Sequence, residues 1–501
     1  MEDKFLTGRL EKKLTKEALE FLVLDDIEWD SKIIEEDITG NEAHTLMLWK
    51  TGIISKQEAK KILGALEKVR DLHREGKFKL KPEFEDVHLN VEKFVIDEVG
   101  MEIGGKLHTG RSRNDQIILD LRLRLRKEIN EILVLLAKVI RTFLSLAEEH
   151  LETVMPGYTH LQHAQPITLA HWFTAYVEMF LRDFERIEKT YQFVNLNPLG
   201  ACALAGTSWP ISREETANLL GFDGIQENSL DVVTSRGEEL AELLANLSIL
   251  MVHLSRLSED LILWTTYEFG MVTFDDSYAM TSSIMPQKKN PDVVELLRGK
   301  TSMVISQLLL SLCLMKGLPS GYLKDLQETK PAVFKVTETV KRSLQVVNGL
   351  VSTLKINKQR MFELAVCNFS TATDLADFLT RKTGIPFRVS HSIVGTLVRN
   401  AFKERKKATE VNIEDLKKAS KEVIGKEISV SEEELKKVLN QTTSIKLKKS
   451  LGSPNPSEVS KIIEKNRKKI EEKEKNLQAR INKLLKAEEK LQSIIKEVLK
   501  S

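Results

Sequence analysis

From Gln116 to Met155 the chain carries neither Gly nor Pro, and Ile118, Leu121, Leu125, Ile129, Ile132, Leu136, Val139 and Phe143 recur every three or four residues. That spacing lays one apolar stripe along a helix, so the segment predicts a rod about 60 Å long. Leu240, Leu243, Leu247, Leu250, Leu254, Leu257 and Leu261 trace a second stripe, and residues 167–197, 292–316 and 333–361 supply three further long segments. Five rods predict an elongated bundle over residues 113–361, between a smaller helical domain at 1–112 and another at 362–455; the expected fold class is all-α, with three helical domains. Leu133, Ile140, Leu244 and Met251 widen both stripes beyond what one slender bundle can cover, which predicts a homo-oligomer with a shared helical core.

The last stretch follows a different rule. Gly452, Ser453, Pro454 and Pro456 mark a boundary, after which Ile463, Ile470, Leu477, Leu484, Leu491 and Val498 fall every seven residues without a Gly or Pro. Arg467, Glu474 and Glu488 break a second seam, so a full coiled coil is not secured. Residues 456–501 therefore read as a charged extension of one or two amphipathic helices packing on the C-terminal domain, in preference to a partner-binding arm.

Composition narrows the classes. The 501 residues, 42% of them hydrophobic, suffice for several cores. With 75 basic against 73 acidic residues the net charge is +2, which argues against a general nucleic-acid binder. Cys202, Cys313 and Cys367 are far apart in helical or apolar contexts and read as buried thiols in a reducing compartment. The opening Met-Glu-Asp-Lys-Phe shows no basic-then-apolar leader and no uninterrupted apolar run is long enough to span a bilayer, so a soluble cytoplasmic protein with no membrane partner is expected.

Three polar clusters break the apolar pattern at predicted helix starts. In Thr281-Ser-Ser-Ile-Met-Pro-Gln-Lys-Lys-Asn-Pro-Asp292, Asn290 reads as an N-cap, Pro291 as the first helical residue and Asp292 as a first-turn acid. The free N–H groups there, with Lys288 and Lys289, suit a carboxylate, and Ser282 and Ser283 lie on a loop able to close over it. In Gly104-Gly-Lys-Leu-His-Thr-Gly-Arg-Ser-Arg-Asn-Asp-Gln116, the glycines 104, 105 and 110 free the backbone while Arg111, Ser112, Arg113 and Asn114 offer donors to further carboxylates. In Pro156-Gly-Tyr-Thr-His-Leu-Gln-His-Ala-Gln-Pro166, Thr159, His160 and Gln162 supply hydrogen-bonding groups and His160 can move protons near neutral pH. The spacing of His160 and His163 would admit a metal, but no Cys, His or acidic cluster sits nearby and none is expected. The plainer reading of each cluster is an exposed turn with an ordinary cap; two carboxylate-binding loops in one chain favour a substrate with several carboxylates.

Taken with their order, these motifs carry a resemblance. Ser282 to Pro291 resembles the signature of the fumarase/aspartase superfamily, whose members eliminate fumarate from succinyl compounds, and His108 to Gln116 with Gly157 to Pro166 resembles one branch, the argininosuccinate lyases. The likeness continues through Glu85 to His88, Tyr322 to Lys330, Thr373 to Asp377 and Gly384 to Arg388, covering about residues 1–455. It implies conversion of argininosuccinate to arginine and fumarate without metal or organic cofactor. It assigns Ser282 as the base, Lys288 and Asn290 to stabilising the aci-carboxylate, and His160 with Thr159 to delivering a proton or orienting the acid. Ser112, Arg113, Asn114, Arg236, Tyr322, Gln327, Lys330, Asp30 and Asp86 match substrate-binding positions. It further implies a homotetramer whose four sites each draw the motif regions from different subunits.

The chain departs from the pattern at Thr281 and Gly237, where glycine and aspartate are usual, at Leu323, where asparagine is usual, and at Asp26, where a serine that touches substrate is expected. Asp26 places charge beside a polyanionic ligand. The alternatives are another fumarate-releasing lyase, acting on adenylosuccinate or aspartate, against which the 108–116 motif speaks, and a non-catalytic scaffold, since lens crystallins resemble the same family.

Overall fold

The computed structural model describes residues 14–501, and its order of elements follows the apolar pattern. Helices Lys16–Asp30, Ile34–Lys50, Lys56–Arg74 and Val87–Val99 come first. Ser55 and Glu58 start the third of these with a reciprocal capping box, satisfying two otherwise orphaned backbone donors. Ile38, Met47, Ile62, Leu66, Val91 and Val95 form their core, which Ile118 and Leu121 of the next helix join.

That next helix, the first rod, is Arg113–Glu149, 37 residues long. It is shorter than the 116–155 pattern predicts at its far end. Val154–Thr159 and Gln162–Thr168 pair instead as an antiparallel hairpin, with Thr159 opposite Gln162. His160 and Leu161 take φ of 55° and 56°, the left-handed pair that a two-residue turn needs to match strand twist. β-branched Thr153 and Val154 before Pro156 favour the strand.

The second rod is Leu169–Val194, the third Glu238–Thr265 and the fourth Asp292–Met315. The fifth, Lys330–Ser352, also stops short of expectation, because Lys355–Ile356 pairs with Val272–Thr273 before a separate helix, Lys358–Val366. Every residue of the first predicted stripe is buried, and Phe143 meets Phe173 and Phe180 edge-on at 5.5 and 5.4 Å. The third rod is apolar and long enough to cross a bilayer by composition, but its stripe from Leu240 to Leu261 is buried by the other rods. Leu296, Ile305, Leu309, Leu310 and Leu312 of the fourth rod, with Ile249 and Val252 of the third, are left on the surface. After the rods, helices Ala372–Thr383, Phe387–Lys403, Ile413–Ile424 and Glu432–Leu439 enclose their own core of Leu375, Leu379, Ile393, Leu397, Leu416 and Leu435.

The C-terminal extension corrects the sequence-based expectation. Pro456–Lys500 is one unbroken helix of 45 residues, about 68 Å long, and it does not pack on the C-terminal helices. Val459, Ile463, Ile470 and Leu477 enter the core of the rods, and Leu491, Ile495 and Val498 pack with Ala43, Leu46 and Leu63 near the N-terminus. Two of the three seam-breaking charges find partners across the groove: Arg467 reaches Glu148 at 2.8 Å, and Arg141 donates to Glu474 at 2.8 Å. Arg480 donates to Asn130 at 2.9 Å and lies over the Tyr191 ring. The seven-residue repeat thus fits a seam against the bundle, so the helix is a strap.

The cysteines also need correction. Cys202 is buried as expected, but Cys313 and Cys367 are exposed in the chain; Cys313 belongs to the outward apolar face of the fourth rod.

If the strap is part of the core, Ile470→Ala should destabilise the protein by about 2–5 kcal/mol, the cost of emptying a buried aliphatic site. Chemical denaturation followed by circular dichroism measures this; an unchanged midpoint would mean that the strap only rests on the surface.

Candidate active site

A pocket of about 200 Å³ lies where the N-terminal helices meet the start of the first and fifth rods. Asp26 and Asp30 stand one turn apart on helix Lys16–Asp30, and each places an oxygen 2.5 Å from the Lys330 ammonium. Lys330, buried, is the first residue of the fifth rod. Gln327 donates to the Leu22 carbonyl at 3.2 Å. Asp86 caps helix Val87–Val99 through the Leu89 N–H, and Arg113 donates to Asp86 at 3.0 Å and Glu85 at 2.9 Å. Asn114 lines the pocket beside Arg113 and donates to the Ala203 carbonyl. Ser112 does not line it. Its hydroxyl caps the first rod, accepting from the Asn114 N–H at 3.3 Å.

Arg236 is buried with its guanidinium 4.9 Å from the centre of the Tyr322 ring and, among the described residues, has no carboxylate within ion-pairing distance and no partner for its Nε. Gly237 then starts the third rod at φ 96°, and a Cβ there would meet the Met315 sulfur at 3.2 Å. Backbone conformation thus accounts for glycine where an aspartate was expected. Of the glycines in the 104–116 loop, Gly110 alone takes positive φ; Gly104 and Gly105 are helical.

At the pocket wall, which His88 and Asp86 line, lies a buried ionic cluster of which the sequence reading assigned only Asp86. His88 hydrogen-bonds Asp120 at 2.9 Å, with Asp86 and Asp37 beyond at 3.6 and 3.9 Å. Burial disfavours the charged imidazole, but these carboxylates outweigh it and hold the pKa of His88 well above the usual histidine value. Burial also raises Asp37, and pushes Asp120 up to about 7. Arg111, expected to face a ligand, is buried beside this cluster. One signal was legible: Asp120 interrupts the apolar stripe between Ile118 and Leu121. Asp37, His88 and Asp120 together have ligand atoms close enough for a cation. A protonated His88 has no lone pair to offer one, and Asn41 and Gln116 already donate to Asp37, so the donor set fits a shared-proton cluster better.

The other predicted groups sit elsewhere. Thr159 and His160 are exposed at the tip of the hairpin beyond the far end of the first rod, about 55 Å from Arg113 along a helix of 37 residues. Ser282, Lys288 and Asn290 lie at the N-terminal end of the fourth rod, whose 24 residues put about 36 Å between them and Met315, which packs by Gly237. One chain therefore gathers Asp30, Asp86, Arg113, Asn114, Arg236, Tyr322, Gln327 and Lys330 in one pocket but leaves Ser282, Lys288, Asn290, Thr159 and His160 outside it.

The 282–288 loop is tied at its base by Met280–Thr281 pairing with Lys289–Asn290. This ladder overturns the predicted cap: Asn290 is drawn into an extended strand, Pro291 occupies the cap position without a side-chain bond, and the helix begins at Asp292. Thr281, as a β-branched residue, suits that ladder. Lys289 is a tether, donating to the Phe274 carbonyl at 2.5 Å and to Asp276 at 2.6 Å. Lys288 makes no ion pair within the chain's described residues and is exposed with the rest of the loop, including Ile284 at 83%. The Ser282 hydroxyl oxygen accepts the N–H groups of Ile284 at 3.3 Å and Met285 at 3.0 Å. Two donors aimed at one oxygen are what a serine needs to hold negative charge.

A family profile described as Lyase matches residues 23–306, and one described as Argininosuccinate lyase C-terminal matches residues 369–446. Among curated proteins, an argininosuccinate lyase of Anoxybacillus flavithermus is 45% identical over 463 residues, 92% of this chain and 98% of that one. One of Methanocaldococcus jannaschii is 41% identical over 488 residues, covering 97% and 98%. Among solved structures, EDDS lyase in complex with formate superposes with a TM-score of 0.86 at 30% identity, covering 94% of this chain and 93% of that one. A class II fumarase from Schistosoma mansoni, at 18% identity and TM-score 0.69 over 82% and 90%, shares the fold.

Burial pushes the Asp86 carboxyl up, but the hydrogen bond and charge of His88, the Arg113 guanidinium and the Leu89 N–H hold it well below the usual carboxylate range. A depressed carboxylate contributes stability above its unfolded value of about 4 and loses that contribution as pH falls toward the folded value. Asp86→Asn should therefore lower Tm at neutral pH, and the gap to wild type should narrow as pH drops below about 4. Thermal scans across pH check this; a gap of constant size throughout would assign the loss to packing.

Proposed function

The chain belongs to the argininosuccinate lyase family of the fumarase/aspartase superfamily, and on that premise we propose that it releases fumarate from argininosuccinate, leaving arginine, at sites assembled between subunits. It is a lyase. The observation that carries the substrate is identity of 41–46% to several argininosuccinate lyases over most of the chain, with the matching C-terminal family profile.

Cleaving this carbon–nitrogen bond requires removing a weakly acidic proton beside a carboxylate, so charge accumulates there before the guanidinium leaves. In our reading Ser282 takes that proton. The two N–H groups on its oxygen support the role by stabilising an alkoxide. Lys288, unpaired among the described residues, Asn290 and the uncapped N–H groups at Asp292 are suited to the aci-carboxylate. His160, with Thr159, delivers a proton or orients the acid. Arg113, Asn114, Arg236, Tyr322, Gln327, Lys330, Asp30 and Asp86 hold the substrate, with Ser112 fixing the loop.

Subunit sharing is supported by lengths. Groups about 55 Å apart along one rod act together only if a second copy brings its opposite end alongside. The exposed apolar face of the fourth rod offers such copies a surface. We infer a homotetramer, without metal or organic cofactor, in the cytoplasm, with domains at 1–112, 113–361 and 362–455 and the extension at 456–501.

Purified protein given argininosuccinate should show rising fumarate absorbance; a rise with adenylosuccinate instead would transfer the substrate, and silence with both would favour a scaffold. Loss of Lys288 or Asn290 should raise the barrier by about 3–4 kcal/mol, and replacing His160 should slow turnover roughly 10²–10⁴-fold. A loss under about fivefold would remove the residue from its assigned role.

Shared sites predict complementation. Ser282→Ala and His160→Asn, each inactive alone, should regain activity when mixed under subunit exchange; failure to regain any would place each site within one chain.

A further inference from the structure

At Lys330 the pocket sets two carboxylates against one ammonium group. Asp26 and Asp30 both point one oxygen at the same ammonium. The second oxygen of Asp30 accepts the Val87 N–H at 3.0 Å, so Asp30 is fully engaged by the protein. The second oxygen of Asp26 accepts no hydrogen bond from any described residue, and Asp26 lines the pocket. Two buried carboxylates share one buried cation. No other cation of the lining makes an ion pair with Asp26 among the described residues: Arg113 is matched by Glu85 and Asp86, Arg236 lies against Tyr322, and exposed Lys324 acts on Asp26 through its charge without a contact.

We propose that Asp26 is a specificity-determining residue whose free oxygen receives the α-ammonium group at the amino-acid end of the substrate. This rests on the lyase reading above. A bound ammonium would complete a square of two carboxylates and two ammonium groups, leaving Arg236 to face a carboxylate on the same end of the ligand. A zwitterionic amino-acid head matches a carboxylate with a free oxygen in the same pocket as a buried guanidinium that makes no ion pair among the described residues. Burial pushes the Asp26 carboxyl up to about 6 while Lys330 and Lys324 pull it down and Asp30 pushes it up, as expected of a carboxylate short of donors until a ligand arrives.

The test compares argininosuccinate with its des-amino analogue, which carries hydrogen in place of the α-ammonium. Asp26→Asn should raise KM for argininosuccinate about tenfold or more with kcat within about threefold, leave KM for the analogue within about twofold, and Asp26→Glu should recover part of the loss. An equal KM increase for both compounds, or none for argininosuccinate, overturns the proposal, the first result meaning that Asp26 only holds Lys330 in place. Should the variants not fold, calorimetry on wild-type protein decides: arginine should bind about tenfold or more tightly than 5-guanidinovalerate, and equal affinities overturn the proposal. Wild-type protein that binds arginine selectively but releases no fumarate would defeat the lyase reading and leave Asp26 standing.

Discussion

A helix of 37 residues without Gly or Pro is stiff, and the first rod holds its two ends about 55 Å apart. Its apolar stripe is continuous from Ile118 to Phe143, so packing against the second and fifth rods leaves no place for a kink. Everything functional hangs on those ends: Ser112, Arg113 and Asn114 open the rod, and the hairpin carrying His160 follows its close. The fourth rod likewise holds Ser282 and Arg236 apart, by about 36 Å. In the assembly we propose, rigidity is what converts one chain's scattered loops into a site shaped by several, because rods that cannot bend position their ends reproducibly.

The two halves of that site are built by opposite electrostatic means. The pocket at Lys330 is crowded with charge, Lys330 and Arg113 held by carboxylates and two of these by backbone N–H groups, Asp30 by Val87 and Asp86 by Leu89. Buried charges in such numbers are tolerable only when paired, and the few groups left over, Arg236 and Asp26, are the ones with capacity for a ligand. The Ser282 loop is exposed and simple. Its backbone supplies donors to the serine oxygen, a two-residue ladder closes its base, and Lys289 anchors it, while Lys288 stays free.

The strap joins these regions. One face of Pro456–Lys500 fills the groove along the first and second rods and then reaches helices Ile34–Lys50 and Lys56–Arg74, so a single helix braces the bundle to the N-terminal helices that carry Asp30 and Asp86 nearby. Its charged flank pairs with Glu148, Glu178 and Glu188 on the rods, which explains a seam of mixed polarity without a coiled-coil partner.

Periodicity alone determined the five rods, the all-α class and the repeat of the last segment, because an apolar stripe at helical spacing has one way to be buried. Motif order determined the family, residue type picked out Arg113, Ser282 and His160, and the resemblance added Lys330. Tertiary structure decided the rest. It ended the first rod at Glu149 and moved the cap from Asn290 to Pro291, since pairing within two short hairpins outweighs the helix signals of the same residues. It exposed Cys313 and Cys367, docked the strap on the rods, and left Asp26 with a spare oxygen. It also separated Lys288 from Lys289, two adjacent ammonium groups that no pattern distinguishes. Which charges are paired depends on groups tens to hundreds of residues apart meeting in space, and local spacing carries no record of that.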